Sequence, residues 1–423
     1  MNTGAEKING YHWLMFLICF FGTAFAGTIS TLMSVYLPVA VADLSGTQNP
    51  EEINQVSAYI NAIFIFGGAF GGLFAGWLSD QSGRKPAVIF SIACCGIFTI
   101  LTGFMTEWWE VVGCRFLSGF GLGAVLVTTT TLMMEEWPPR SRAIFMGILS
   151  ISIPVGIFSA GVIDYFVSSW RQAFLVGVFP VLIAVAAAFI LKESARWKRS
   201  GETIAESLTA GGRQSHSIRA DLFRGSLIFG SMLIGLWAIF SWLPTWIQTM
   251  VVSGDGQAER GISMMMLGMG GLLGGFVSGW VMNAIGAKKS LLICFAACAT
   301  GSSVLFITND SFSPVIYAEI LLIAIAFGIS QGVLSVYIPN LFPVPVRGTA
   351  TGICFNIGRF VTATAVLFVG VLVTELGGYG NALFIFSTIF TIGFVVVIFS
   401  KESNRLPEEE PGSNERLTGT VTG

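Results

Sequence analysis

The sequence predicts an all-α membrane protein of twelve transmembrane helices in two pseudo-symmetric six-helix bundles. Three observations predict it. Charged residues are only 11% of the 423 residues while hydrophobics reach 53%, against about 25% charged in soluble domains. Twelve apolar runs follow one another, each near the roughly 20 residues that a helix needs to cross a hydrocarbon core. Loop motifs of the first half return in the second, displaced by 203 to 205 residues.

The first run, 14–40, is too long for a removed signal peptide and lacks a small-residue cleavage site. The runs 56–78, 86–105, 111–134, 143–166 and 173–191 complete a first bundle over 1–191. A polar, charged connection over 192–225 reads as a cytoplasmic linker. The runs 226–250, 261–282, 290–308, 314–338, 348–373 and 381–400 build the second bundle over 226–400. The tail 401–423, with Glu408, Glu409 and Glu410 before Pro, Gly, Ser and Thr, reads as disordered.

Orientation follows from the cations. Of the 22 Lys and Arg, 18 fall in segments on the side of the chain ends, and only Arg171 and Arg260 fall in loops opposite. Positive loops stay inside, so both termini are expected in the cytoplasm and the protein in the cell's inner membrane.

Composition also excludes function classes. A net charge of −2 gives no basic excess to neutralise nucleic-acid phosphates. All seven cysteines lie inside apolar runs and read as small hydrophobes. His12 and His216 join no Ser/His/Asp, Cys/His or metal-ligand set, so neither an enzyme nor a cofactor is expected.

The second cytoplasmic turn reads Gly76-Trp-Leu-Ser-Asp80-Gln-Ser-Gly83-Arg84-Lys85-Pro86, and its mate is Gly279-Trp-Val-Met-Asn283-Ala-Ile-Gly286-Ala-Lys288-Lys289. Glu135-Glu-Trp-Pro138-Pro-Arg-Ser-Arg142 is matched by Asn340-Leu-Phe-Pro343-Val-Pro-Val-Arg347. Six spans per repeat means both halves enter from the same side, related by an axis along the membrane normal. Gly76 and Gly83 are expected to allow close helix contact and a sharp turn. Asp80, Arg84, Glu135 and Arg142 bring opposite charges to one cytoplasmic rim, where they can act as a conformational latch. The second half carries amides, Asn283 and Asn340, in place of the acids.

These residues resemble the major facilitator superfamily, whose loop between helices 2 and 3 carries Gly-x-x-x-Asp-x-x-Gly-Arg-Lys. The resemblance covers about residues 10–402. Trp170-Arg171-x-x-Phe174 and Lys192-Glu193-Ser194-Ala195-Arg196-Trp197 are similar to segments of the sugar porters and of the proton-linked organic-acid and sialate porters. Arg347-Gly-Thr-Ala-Thr-Gly352-Ile-Cys-Phe-Asn356-Ile-Gly358-Arg359 and Ser241-Trp242-Leu-Pro244-Thr245 lean toward the organic-acid side. Two departures stand out. Those porters carry an acid in helix 1, where this chain reads Phe21-Gly-Thr-Ala-Phe-Ala-Gly27-Thr28-Ile-Ser30. The drug and cation antiporters carry Gly-Pro in helix 5, where Ile153 precedes Pro154 here.

Within the predicted spans only Arg115, Asp164, Glu319 and Arg359 are ionisable. A charge at the bilayer centre costs at least about 2.5 kcal/mol and calls for a partner, water or a function. Arg359 lies about 18 Å along its helix from Arg347 at 1.5 Å per residue, and Asn356 shares its face. A planar guanidinium suits a carboxylate through two parallel hydrogen bonds, so Arg359 with Asn356 is the expected substrate-anion anchor. Arg115 and Glu319 are repeat mates in helices 4 and 10, which in the resembled family line the cavity. Arg115 is a candidate contact and Glu319 the candidate proton-coupling carboxylate. Trp242 and Gln331, on helices 7 and 10, are further candidate contacts, as are Trp237 and Trp246. Asp164 reads as solvated, and Trp108, Trp109 and Trp170 as interfacial anchors.

The expected function is secondary transport of a small organic anion by alternating access, as proton-coupled import by a monomer in the bilayer. A sugar or polyol porter is the alternative, and a membrane ligand sensor without flux is the alternative of another class.

Overall fold

A computed structural model describes residues 8–46, 49–194, 215–251, 255–342 and 347–400. Most of the predicted linker and the whole predicted tail lie outside the described residues, as do the side chains of Arg140 and Arg347. Among the described residues the chain is helical, without strands, and twelve helical stretches are long and apolar enough to cross a membrane.

The first bundle contains α1 (Gly10–Ser45), α2 (Pro50–Ser82), α3 (Arg84–Thr102), α4 (Trp108–Glu136), α5 (Pro139–Ser150) with α6 (Ser152–Phe166), and α7 (Trp170–Ala173) leading through a 3-10 turn into α8 (Val178–Ile190). The second contains α9 (Ser215–Met250), α10 (Gln257–Ile285), α11 (Ala287–Thr308), α12 (Val315–Asn340), α13 (Arg347–Leu372), and α14 (Tyr379–Ser387) with α15 (Ile389–Ile398). With twelve spans, the start of α1 and the end of α15 lie on one side, called here the terminal side; the other is the far side. Helix α9 starts at Ser215, well before the apolar run that announced it. Its 36 residues make about 54 Å at 1.5 Å per residue, so its polar first turns project past the hydrocarbon layer.

The repeat seen in the loops holds in the packing. In each bundle the second span lies on the fourth (α2 on α4, α10 on α12), and the first on the fifth (α1 on α6, α9 on α13). Pro38 in α1 and Pro244 in α9 fall inside equivalent helices, each removing one ladder hydrogen bond. The α2–α4 contact is backbone on backbone: the position where Gly123 would carry a Cβ is filled by the Gly68 carbonyl. Membrane helices gain association through such close approach, because lipid supplies no hydrophobic drive between them.

The two bundles touch along three seams: α6 on α10, α2 on α13 and α1 on α9. Hydrogen bonds and an ion pair cross between them in the far half: Tyr379 to Asn54, Asn61 Nδ2 to the Ser241 carbonyl, Gln257 to the Asp164 carbonyl, and Asp164 with Arg260. Residues 32–44 of α1 belong to an apolar core that runs through both bundles, whereas residues 15–29 belong to a second cluster drawn mainly from the first bundle. The far side is therefore closed, and the bundles part toward the terminal side.

Candidate substrate site and the charged groups around it

Arg359 sits midway along α13, on the seam with α2. Its Nη1 donates to Asn356 Oδ1 at 3.4 Å, and Asn356 Nδ2 donates to the Gly352 carbonyl at 3.0 Å. Gly72 of α2 faces this pair: a Cβ there would lie 3.1 Å from both Arg359 Nη1 and Asn356 Oδ1. As a residue Arg359 is half-buried, and among the described residues no carboxylate pairs with it. A membrane-embedded arginine without an acid keeps most of its donors available to an incoming anion. Gln331 of α12 is half-buried, and its Nε2 is buried without a partner among the described residues.

Trp242 is placed differently from the expected cargo contact. It is fully buried, its Nε1 donates to the Val366 carbonyl at 3.2 Å, and its ring lies against Gly370 and Tyr379. An indole with its one donor satisfied clamps α9 to α13. Trp246 is likewise buried, edge-on to Phe306.

Arg115 and Glu319 are not brought together. Arg115 is 1% exposed between α4, α1 and α2, with Nη1 donating to the Ile29 carbonyl at 3.2 Å and the guanidinium 3.8 Å from the Phe64 ring centroid. Its Nε has no partner among the described residues. Glu319 is half-buried near the far end of α12, where Asn309 Nδ2 donates to its Oε2 at 2.8 Å. Equal places in two repeats give equal depth, but helix rotation sets direction: Glu319 turns toward the end of α11.

Three expectations at the far side are corrected. Asp164 is not solvated: it is fully buried and faces Arg260, which belongs to the first turn of α10 and not to a loop. Trp170 is not an interfacial anchor; it is buried, with Nε1 donating to Asp43 Oδ2 at 3.0 Å while Arg171 pairs with the same carboxylate and stacks on the indole. Hydropathy marks depth along the membrane normal and is blind to which helix lies alongside. Trp109 does remain exposed.

At the terminal rim the motif residues converge. Arg84 Nη1 lies 2.6 Å from Asp80 Oδ1, and its Nη2 lies 2.8 Å from Glu135 Oε1. Glu193, which sequence reasoning did not single out as a site residue, caps α3: its Oε1 accepts from the Arg84 backbone N–H at 2.7 Å. Ser194 Oγ donates to Glu135 Oε2 at 2.7 Å. The turn needs Gly83, at φ 101°, where a Cβ would collide with the Glu193 carboxylate. Gly76 has open space around it, so the close helix contact expected there is not used in this state. Arg142 Nη2 donates to the Trp137 carbonyl at 2.8 Å. The network joins α2, α3, α4 and the segment after α8 inside one bundle. Asp80 is mostly exposed, and such a pair contributes only about 0–1 kcal/mol to stability. Asp80→Asn should therefore leave the unfolding temperature nearly unchanged while slowing substrate counterflow in proteoliposomes. An unchanged counterflow rate would remove the rim from the conformational cycle.

Comparison with known proteins agrees with this architecture. Residues 14–366 match the family model described as Major Facilitator Superfamily. The chain is 25% identical over 433 aligned residues to the cis,cis-muconate transport protein of Acinetobacter baylyi, covering 96% of this chain and 99% of that one. It is 27% identical to the sialic acid transporter NanX of Escherichia coli, with 89% and 91% covered. A crystal structure of a D-xylose-proton symporter superposes with a TM-score of 0.77 at 16% identity, covering 93% of this chain and 99% of that one, a likeness that shows the fold alone. With the family model spanning most of its length and the twelve-helix, two-bundle fold in place, the chain belongs to the major facilitator superfamily and is a multi-pass membrane transporter, not an enzyme.

Proposed function

We propose that the protein imports a small organic anion, a carboxylate, by alternating access coupled to protons, as a monomer in the inner membrane with both termini cytoplasmic. The observation that carries this reading is Arg359: a cation at mid-membrane depth, without an acidic partner among the described residues, at the bottom of the closed seam between the bundles. A cation at that depth is costly, and a site that accepts an anion there recovers that cost only when loaded. A sugar or polyol would not neutralise it. The names of the muconate and sialic acid relatives, both carboxylic acids, support the same cargo class. Asn356 and Gln331 supply neutral hydrogen-bond capacity beside the charge.

Proton coupling is assigned to Glu319. Its partner Asn309 offers an amide donor to the ionised acid and an amide oxygen to the protonated one, so the carboxyl can change state without losing its neighbour. The test is uptake by proteoliposomes from a panel of monocarboxylates, aromatic acids, sialic acids and sugars, with and without an imposed pH gradient. The wild type is expected to concentrate a carboxylate when the gradient is supplied, and Glu319→Gln to lose accumulation while retaining counterflow. Accumulation by Glu319→Gln would move coupling elsewhere, sugar uptake would move the cargo class, and binding without flux would make the protein a sensor.

A further inference from the structure

The α6–α10 seam is built from small residues for most of its length. Gly161 lies against the Gly261 backbone, Gly268 against Phe158, and Gly271 against Pro154. Toward its far end the character changes. Asp164 Oδ1 lies 3.6 Å from Arg260 Nη2, with side chains 0% and 2% exposed. Among the described residues this is the ion pair that crosses from one bundle to the other; the other four lie within a bundle. The surroundings hold Arg260 more firmly than they hold the acid. Arg260 Nη1 donates to the Asp255 carbonyl at 2.9 Å and to Gln248 Oε1. Among the described residues, neither carboxylate oxygen of Asp164 has a hydrogen bond within 3.5 Å. On the α1 side, Tyr36 spends its hydroxyl on the Val167 carbonyl at 2.5 Å.

We propose that Asp164 and Arg260 form a charge-matched gate on the far, external side: each can be buried there only against the other, so the bundles close on the matched pair, and the two separate into water when the site opens to the outside. The inference rests on alternating access, not on any particular cargo or coupling ion. When the bundles part, both charges reach water, where neither needs the other. When they close, each is desolvated and tolerable only because the other is present. Attraction and desolvation nearly offset in a buried pair, so a lone survivor is far worse than either the intact pair or none.

That physics yields a non-additive signature. Ser34 of α1 is buried in the far half, with Oγ donating to Asn61 Oδ1 at 3.4 Å. Ser34→Cys therefore reports departure from the closed state, read as the rate of reaction with a maleimide in detergent against the parent chain. In the Ser34→Cys background, Asp164→Asn and Arg260→Gln should each raise that rate at least about tenfold, because each strands one buried charge in the closed state. The double variant Asp164→Asn with Arg260→Gln should return within about twofold of the starting rate, since no charge is left to desolvate. Unchanged single variants, or a double variant whose effect is the product of the two, would overturn the gate. Should either single variant unfold, native Cys19, buried in the terminal half of α1, becomes reactive too. The double variant then decides: a monodisperse protein with a slow reporter supports the gate, and continued unfolding or a fast reporter overturns it. No substrate enters the assay, so loss of the carboxylate reading would leave this result standing, and the reverse holds as well.

Discussion

Replacing Arg359 by Gln is expected to abolish binding of the best carboxylate while the protein still folds and reaches the membrane. Truncating one member of a buried, hydrogen-bonded charge pair costs about 2–5 kcal/mol, or roughly thirty-fold to several thousand-fold in Kd. Stability should survive, because among the described residues Arg359 donates only to Asn356, at 3.4 Å, and its removal leaves no acid unpaired. Arg359→Lys keeps the charge but not the planar fork, so its affinity should fall between the two. Ligand-induced shift of the unfolding temperature reads both variants, since a ligand stabilises the state it binds by mass action. Wild-type affinity in Arg359→Gln would refute the anchor.

The largest effect on folding is expected from Gly123→Val. In α4, the site of the missing Cβ is occupied by the Gly68 carbonyl of α2, and Gly67 and Gly71 of α2 make equally close approaches to the backbone at Phe116 and Phe120. Overpacking against movable side chains costs about 1–3 kcal/mol. Here the obstacle is main chain on both sides, so relief means prying α2 from α4, and the destabilisation should exceed that range. Gly76→Ala is the control, with no other described residue packed within 4 Å of the added methyl. The yield of monodisperse protein should collapse for the first variant and hold for the second. Equal behaviour would mean that the α2–α4 contact is looser than the structure has it.

Much of this protein was legible in order along the chain. Span number, the even split, the displaced loop motifs and the depth of Arg359 are one-dimensional properties, because a bilayer reads a sequence by length and polarity. Asp80, Arg84 and Glu135 could be assembled from sequence for a similar reason: each follows or precedes a helix end that must return to the same rim, and the structure does bring them together. Glu193 joins them through the α3 N-terminus, where a carboxylate meets free backbone N–H groups; a polar residue after the sixth span carries no periodic signal that would show this.

What only the tertiary structure decided is direction around each helix and contact between distant ones. Trp242 and Arg359 both belong to central spans, yet one is sealed with its donor satisfied and the other faces a glycine with donors to spare. Arg115 and Glu319 share depth and repeat position, yet one lies inside a bundle and the other turns to Asn309. Asp164 and Arg260, 96 residues apart in the chain, looked like a solvated acid and a loop cation because each lies near a span's end. Their burial exists only when α6 and α10 close on each other. Composition and period determine that a helix crosses a membrane and how deep each residue lies; the rotation and partner of that helix come from side chains on other helices.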